Sequence, residues 1–208
     1  MSIIEKINSR KVSTWIFIAV GAIFIAILIF SDLAGNPSSY VLKITQEREQ
    51  KNLQFKNDPE SPIKKEDKVN FSGLKYFPPN EAYLVPAKLI PETNPDTFLL
   101  MTSTGTDYQV TRAGKLAFTL QGQALELTAF LYLEPGRSEY FIPFRDLTSN
   151  VSTYGGGRYM DIPAVEPLMI DFNKAYNPYC AYNESFVCPL PPKENKLNVE
   201  ILAGELNR

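Results

Sequence analysis

Apolar and polar residues follow several different periods along this chain, and each period predicts a different element. Val12 to Phe30, VSTWIFIAVGAIFIAILIF, carries no charge. As a helix at ~1.5 Å per residue it reaches about 28 Å, close to the ~30 Å of a bilayer's hydrocarbon. The pattern then changes. From Ser38 or Ser39, a possible helix cap, a helix is predicted to about Lys56, with Glu47 and Lys51 spaced i, i+4. Apolar positions thin out after Ile44, so this helix reads as a solvated stalk lifting a body off a membrane. Asn57-Asp58-Pro59 ends it, and the charged run from Glu60 to Asn70 reads as a linker.

From Phe71 the period becomes two. Tyr83, Val85, Ala87 and Leu89 alternate, and Phe98 to Met101 forms a further apolar run. Tyr108 and Val110 lead to a predicted turn at Ala113-Gly114. Leu116, Phe118 and Leu120 alternate up to Gln121-Gly122, and Leu125 to Leu133 alternate up to Pro135-Gly136. Tyr140 to Phe144 adds one more strand. Short strands separated by glycine turns predict a mainly β domain over 71–208: an antiparallel meander forming a curved sheet, barrel or sandwich. The final third reads as loop until Leu197 to Leu202, LNVEIL, which alternates and is expected to close the sheet.

The termini of the apolar span orient it. Lys6, Arg10 and Lys11 precede it, Trp15 lies near its basic end, and Asp32 follows it. These features predict residues 1–11 in the cytoplasm, 12–30 as an uncleaved signal anchor, 31–70 as stalk and linker, and the body outside the cytoplasmic membrane. A cleaved signal peptide fits less well. The best cut follows Ala34, and Asp32 stands where a small residue is needed.

Composition narrows the function classes. Lys and Arg number 21 against 23 Asp and Glu, so the net charge of -2 points to no nucleic-acid partner. There is no histidine and there are two cysteines, Cys180 and Cys188. The commonest general base and the commonest zinc ligand are therefore missing, and nothing calls for a metal or cofactor. Outside the cytoplasm two cysteines pair more often than not, so a disulfide is expected. Over so short a loop it would be worth roughly 2.5 kcal/mol. The C-x-x-C spacing of redox pairs is absent, and two thiolates alone make a poor metal site.

Candidate chemistry concentrates between Phe141 and Cys188. Arg145-Asp146 and Arg158 flank the glycine run Gly155-Gly156-Gly157. The run is no P-loop, since no Lys-Ser or Lys-Thr follows, and Met160 stands where a dinucleotide fingerprint needs its third glycine. It is either a tight turn or a backbone nest for an anion. The two arginines, with the hydroxyls of Thr148, Thr153, Tyr154 and Tyr159, could hold a carboxylate or phosphate. Alternatively they pair internally with Asp146, Asp161 or Asp171 and staple an irregular region. Asp171, Asn173, Tyr176, Asn177 and Tyr182 suit turn capping, or the grip of a sugar between rings and amides. Asp171 and Glu205 are the two carboxylates that a glycosidase-like pair would use.

The same stretch carries a family resemblance. Ser61-Pro62, FSGLKYFP (Phe71 to Pro78), PFRDLTS (Pro143 to Ser149) and TYGGGRYMD (Thr153 to Asp161) belong to it. So do DFNKAYNPYCAY (Asp171 to Tyr182), CPLPPKEN (Cys188 to Asn195) and AGE (Ala203 to Glu205). In these segments the chain resembles the bacterial and archaeal family of domain of unknown function 1684. The resemblance covers most of the chain after about residue 45 and implies no activity, because the family has none established. Three functions stay open: a cell-envelope binding or assembly module for a small anionic or sugar ligand or a partner protein, a histidine-independent hydrolase using Asp, Tyr or Arg, and a structural subunit of a membrane complex.

Overall fold

The alternating segments pair as a single antiparallel sheet. In the computed structural model, which describes residues 37–134 and 136–208, the strands are β1 (Leu84–Pro91), β2 (Thr97–Met101), β3 (Asp107–Leu120), β4 (Gln123–Tyr132), β5 (Glu139–Phe144), β6 (Arg158–Pro163) and β7 (Met169–Asp171). Their order is β6-β5-β4-β3-β1-β7, with β2 also paired to β3, and the sheet curls into a nearly closed barrel. The β3–β4 hairpin turns at Gln121 and Gly122, both at positive φ as a tight two-residue turn requires. The anchor span expected over 12–30 lies outside the described residues. Among those described, no helix is long and apolar enough to cross a membrane.

Period two explains the two layers of packing. On β5 and β6, Ile142, Phe144, Met160 and Ile162 point into the barrel core beside Leu116, Leu127, Ile170 and Phe172. Their neighbours Phe141 and Tyr159 point the other way, into a second cluster with Leu100, Val110, Phe130 and Cys188. The sheet is thus buried on both faces here, which is why Tyr140 to Phe144 lacks the clean apolar–polar alternation of the earlier strands.

Three sequence expectations need correction. First, Ala113-Gly114 is not a turn. Asp107–Leu120 is one strand with a bulge between Arg112 and Gly114. Gly114 sits at φ +146°, and a Cβ there would lie 2.2 Å from the Ile90 carbonyl oxygen, so glycine permits close strand approach rather than reversal. Second, LNVEIL forms no strand. Leu197 and Ile201 are buried in the barrel core, but the segment is tied by side chains and isolated backbone bonds instead of a ladder.

Third, the helix α1 (Ser39–Asn57) is close to its expected length but is no stalk. Tyr40 to Arg208 forms one compact unit. Ile44 and Phe55 are buried, and Arg48, Lys51 and Asn52 between them face the body. Arg48 donates to the Phe77 and Asn173 carbonyls at 2.8 and 3.1 Å, Lys51 pairs with Glu205 at 3.0 Å, and the Asn52 side chain accepts from the Leu74 amide at 2.9 Å. The supposed linker also belongs to the body. Ile63 packs with Phe55 and Tyr182, and Lys65–Lys68 forms a single turn, α2.

Candidate functional site

The arginine-rich cluster between residues 145 and 161 is scaffold. Arg158 and Asp146 form an ion pair at 3.3 Å with side chains 1% and 0% exposed. The guanidinium also donates to the backbone carbonyls of Ile201 (3.0 Å) and Ala203, and so takes the place of a neighbouring strand for the chain end. Asp146 accepts in addition from Thr148 Oγ1 (2.8 Å) and the Ile201 amide (2.7 Å). Burial lowers the Arg158 pKa, and the adjacent Asp146 carboxylate opposes that shift. Both groups are buried among partners from the chain itself. Arg145 contributes through its backbone, accepting from Leu197 N and donating to Asn195 O, and among the described residues it has no carboxylate within 4.0 Å.

The glycines form a turn. Gly157 sits at φ +96°, and a Cβ there would stand 2.6 Å from the Phe144 carbonyl oxygen. Its amide is spent on Tyr154 O at 3.0 Å. Asp171 and Asn173 likewise serve the fold. Asp171 accepts from Tyr40 OH (2.7 Å) and caps the turn at Asn173 N (3.1 Å). Asn173 is buried and binds Asn80 through both ends of its carboxamide. Glu205 sits in a different network from Asp171, with Lys51 and Asn177 as its partners. Burial raises the Glu205 pKa, while Lys51 pulls it down.

Two of the expected site residues share one open cavity. Tyr159 and Tyr176 line a cavity of about 770 Å³ between α1, the outer face of the sheet and the segment 176–189. Aromatic rings follow one another around it. Tyr132 and Phe141 lie 5.1 Å apart, Phe141 and Tyr159 4.9 Å, and Tyr159 and Tyr176 5.8 Å, the last two edge to face. Phe55 and Phe186 flank Tyr179 at 6.0 and 5.3 Å. Such edge-on pairs prefer fixed geometry, so the wall is preformed.

Charge is arranged at two levels. Beneath the rings, Asp161 accepts from Tyr132 OH at 2.6 Å with one oxygen and from Tyr176 OH with the other. Arg137 stacks 3.4 Å above the Tyr132 ring and reaches Asp161 at 3.7 Å. Burial first, and hydrogen bonding to Asp161 as well, raises the pKa of Tyr132 and Tyr176, so both phenols stay protonated. At the rim stand Lys51, Lys174 and Glu47. Lys51 Nζ lies 4.9 Å from the Tyr176 ring centre and 5.3 Å from that of Phe55. Its bond to Glu205 engages one of three ammonium hydrogens, and Lys174 pairs with Glu47 at the exposed edge.

Lys51, Tyr108, Tyr132, Arg137, Asp161 and Phe186 are site residues that the sequence reading did not combine. One signal was present. In Arg158–Pro163, period two puts Tyr159 and Asp161 on one face and Arg158, Met160 and Ile162 on the other. That alternation separates cavity from core.

The cysteines also differ from expectation: both are free thiols. They remain neighbours. Cys180 N donates to Cys188 Sγ at 3.3 Å, and Tyr154 OH lies 3.9 Å from Cys180 Sγ. A hydrogen bond from the Cys188 thiol lowers the Cys180 pKa to about 7. That same bond, together with burial, pushes Cys188 up.

Comparison with other proteins assigns no chemistry to this arrangement. A family model described as "Protein of unknown function (DUF1684)" matches residues 69–206. Among solved structures, an uncharacterized protein of Haloarcula marismortui, determined by solution NMR, is 34% identical with a TM-score of 0.64. The match covers 79% of this chain and 92% of that one. No curated protein matches.

Proposed function

Because the chain belongs to the DUF1684 family, whose description assigns no activity, we propose from the site itself that the protein is a binding module for a small molecule with a flat apolar body and an anionic group. The observation that carries this is the ring-lined cavity of about 770 Å³ with Lys51 and Lys174 at its mouth. Pockets for small ligands combine apolar walls with a few placed polar groups, and this one does so. The hydroxyls of Tyr132, Tyr159 and Tyr176 already donate, to Asp161 or to the Pro189 carbonyl, and retain acceptor capacity only. At the mouth, the cationic donors for an anion are the two rim lysines. A hydrolase is the weaker reading, because the phenols hold their protons and Asp161 is occupied by two of them.

The module is proposed to be displayed outside the cytoplasmic membrane. The support is the uncharged run Val12 to Phe30 with basic residues before it. Protease added to intact spheroplasts should then digest the body; a body cut only after lysis refutes this placement.

Anilinonaphthalenesulfonate is a suitable probe for the cavity, with a flat apolar body and one anionic group. It should bind the folded full-length chain saturably at one site, read by fluorescence. Phe186→Ala should weaken binding by about tenfold, within the range for removing an aromatic contact. Lys174→Ala should weaken the sulfonate but leave uncharged naphthylamine unchanged. Non-saturable binding, or indifference to both substitutions, overturns the proposal.

A further inference from the structure

We propose that Cys180 and Cys188 are a reversible thiol–disulfide exchange site that reacts with small disulfides, Cys180 attacking first and Cys188 resolving. The geometry carries this. Cys180 is half-buried and therefore open to solvent in part, whereas Cys188 is buried in the aromatic cluster and contributes to the cavity wall. The backbone amide of Cys180 donates to Cys188 Sγ, so the second sulfur is held against the first residue before any reaction. The groups facing the Cys180 thiol are the Cys188 thiol and the Tyr154 hydroxyl, both of which hydrogen bond to it. These two donors favour the thiolate. A pair kept only for structure would have no need of one accessible, activated sulfur.

The exchange balances in two steps. The Cys180 thiolate attacks one sulfur of a disulfide R–S–S–R, forming a mixed disulfide and releasing one thiolate, RS⁻. Cys188 then attacks Cys180 Sγ, breaking the mixed disulfide. Its proton passes to a departing thiolate, and a solvent proton neutralises the other. Two protein thiols are oxidised to one disulfide, and the small disulfide is reduced to two thiols. The new bond closes the 180–188 segment, which includes Phe186 and Val187 of the cavity wall.

Glutathione disulfide is the probe, applied to the reduced full-length chain and followed by mass spectrometry. The wild type should lose the mass of one disulfide's hydrogens and regain it with reduced glutathione. Cys188→Ser should stop at a glutathione adduct on Cys180, and Cys180→Ser should leave Cys188 unmodified. The rate should rise with pH, half-maximal near the Cys180 value of about 7, because only the thiolate attacks. Should a serine variant fail to fold, pulse alkylation of the reduced wild type reads the same order, Cys180 before Cys188. Inert thiols, modification of Cys188 first, or a crosslink that glutathione cannot reopen would each overturn the proposal. None of these readouts measures ligand binding, so the binding proposal stands or falls separately.

Discussion

Arg158→Ala should lower stability by about 3–5 kcal/mol, the cost of breaking a buried pair and leaving its partner charged. For a body of this size the melting temperature should fall on the order of 10 °C. The loss has two parts. Asp146 keeps its carboxylate at 0% exposure with no counter-charge, and the Ile201 and Ala203 carbonyls lose their donor. Combining Arg158→Met with Asp146→Asn should recover part of the loss, since the charge is removed while an acceptor for Thr148 and Ile201 N remains. Arg145→Ala is the control. Its main contribution is through its backbone, so it should cost about 1 kcal/mol or less, as a surface substitution does. Equilibrium denaturation measures all of these. A loss below about 1 kcal/mol for Arg158→Ala would mean that the guanidinium is not the tie for the chain end.

Asn195→Ala should be nearly as damaging. Beyond the pairs Phe130–Phe141 and Leu131–Tyr140, β4 and β5 no longer bond to each other. The fully buried carboxamide of Asn195 fills the gap. It accepts from Thr128 N at 2.7 Å and donates to Thr128 O and Pro143 O, each at 2.8 Å. Alanine would leave one donor and two acceptors unpaired in the core, each worth about 1–3 kcal/mol. A net loss of about 3 kcal/mol or more is expected by denaturation. Hydrogen exchange at the Thr128 amide should accelerate more than at Leu127. Asn195→Asp should do no better, since a carboxylate cannot donate to two carbonyls. If Asn195→Ala unfolds like the wild type, the strands must close the gap on their own.

Asn195 and Arg158 show why the polar stretch resisted a sequence reading. A buried staple and a ligand-binding residue are the same residue types, and what separates them is whether the partner comes from the chain or from solution. The partners of Arg158 lie at Asp146, Ile201 and Ala203, and those of Asn195 at Thr128 and Pro143. The helix α1 misled for a related reason. Ile44, Arg48, Lys51 and Phe55 form one stripe at helical spacing, but a hydrophobicity pattern scores its middle two positions as solvent-facing. They face the body because Phe77 O and Glu205 supply complementary polarity there.

The sequence by itself determined what depends on neighbours along the chain. The period-two runs made the strands because alternate side chains fall on opposite faces, and the segment from Ser39 made a helix near its expected bounds. The family was legible in short motifs for the same reason. Tertiary structure alone decided that Gly114 is a bulge rather than a turn, since only the approach of Ile90 excludes a Cβ. It decided that LNVEIL is tied by Arg158 and Asp146 rather than by a strand, and that the thiols are adjacent without a disulfide. The cavity was equally out of reach, because Lys51, Tyr132, Asp161 and Phe186 converge only when the sheet curls and α1 docks across it. Local spacing sets which face a side chain takes, but which surfaces meet is set by long-range packing.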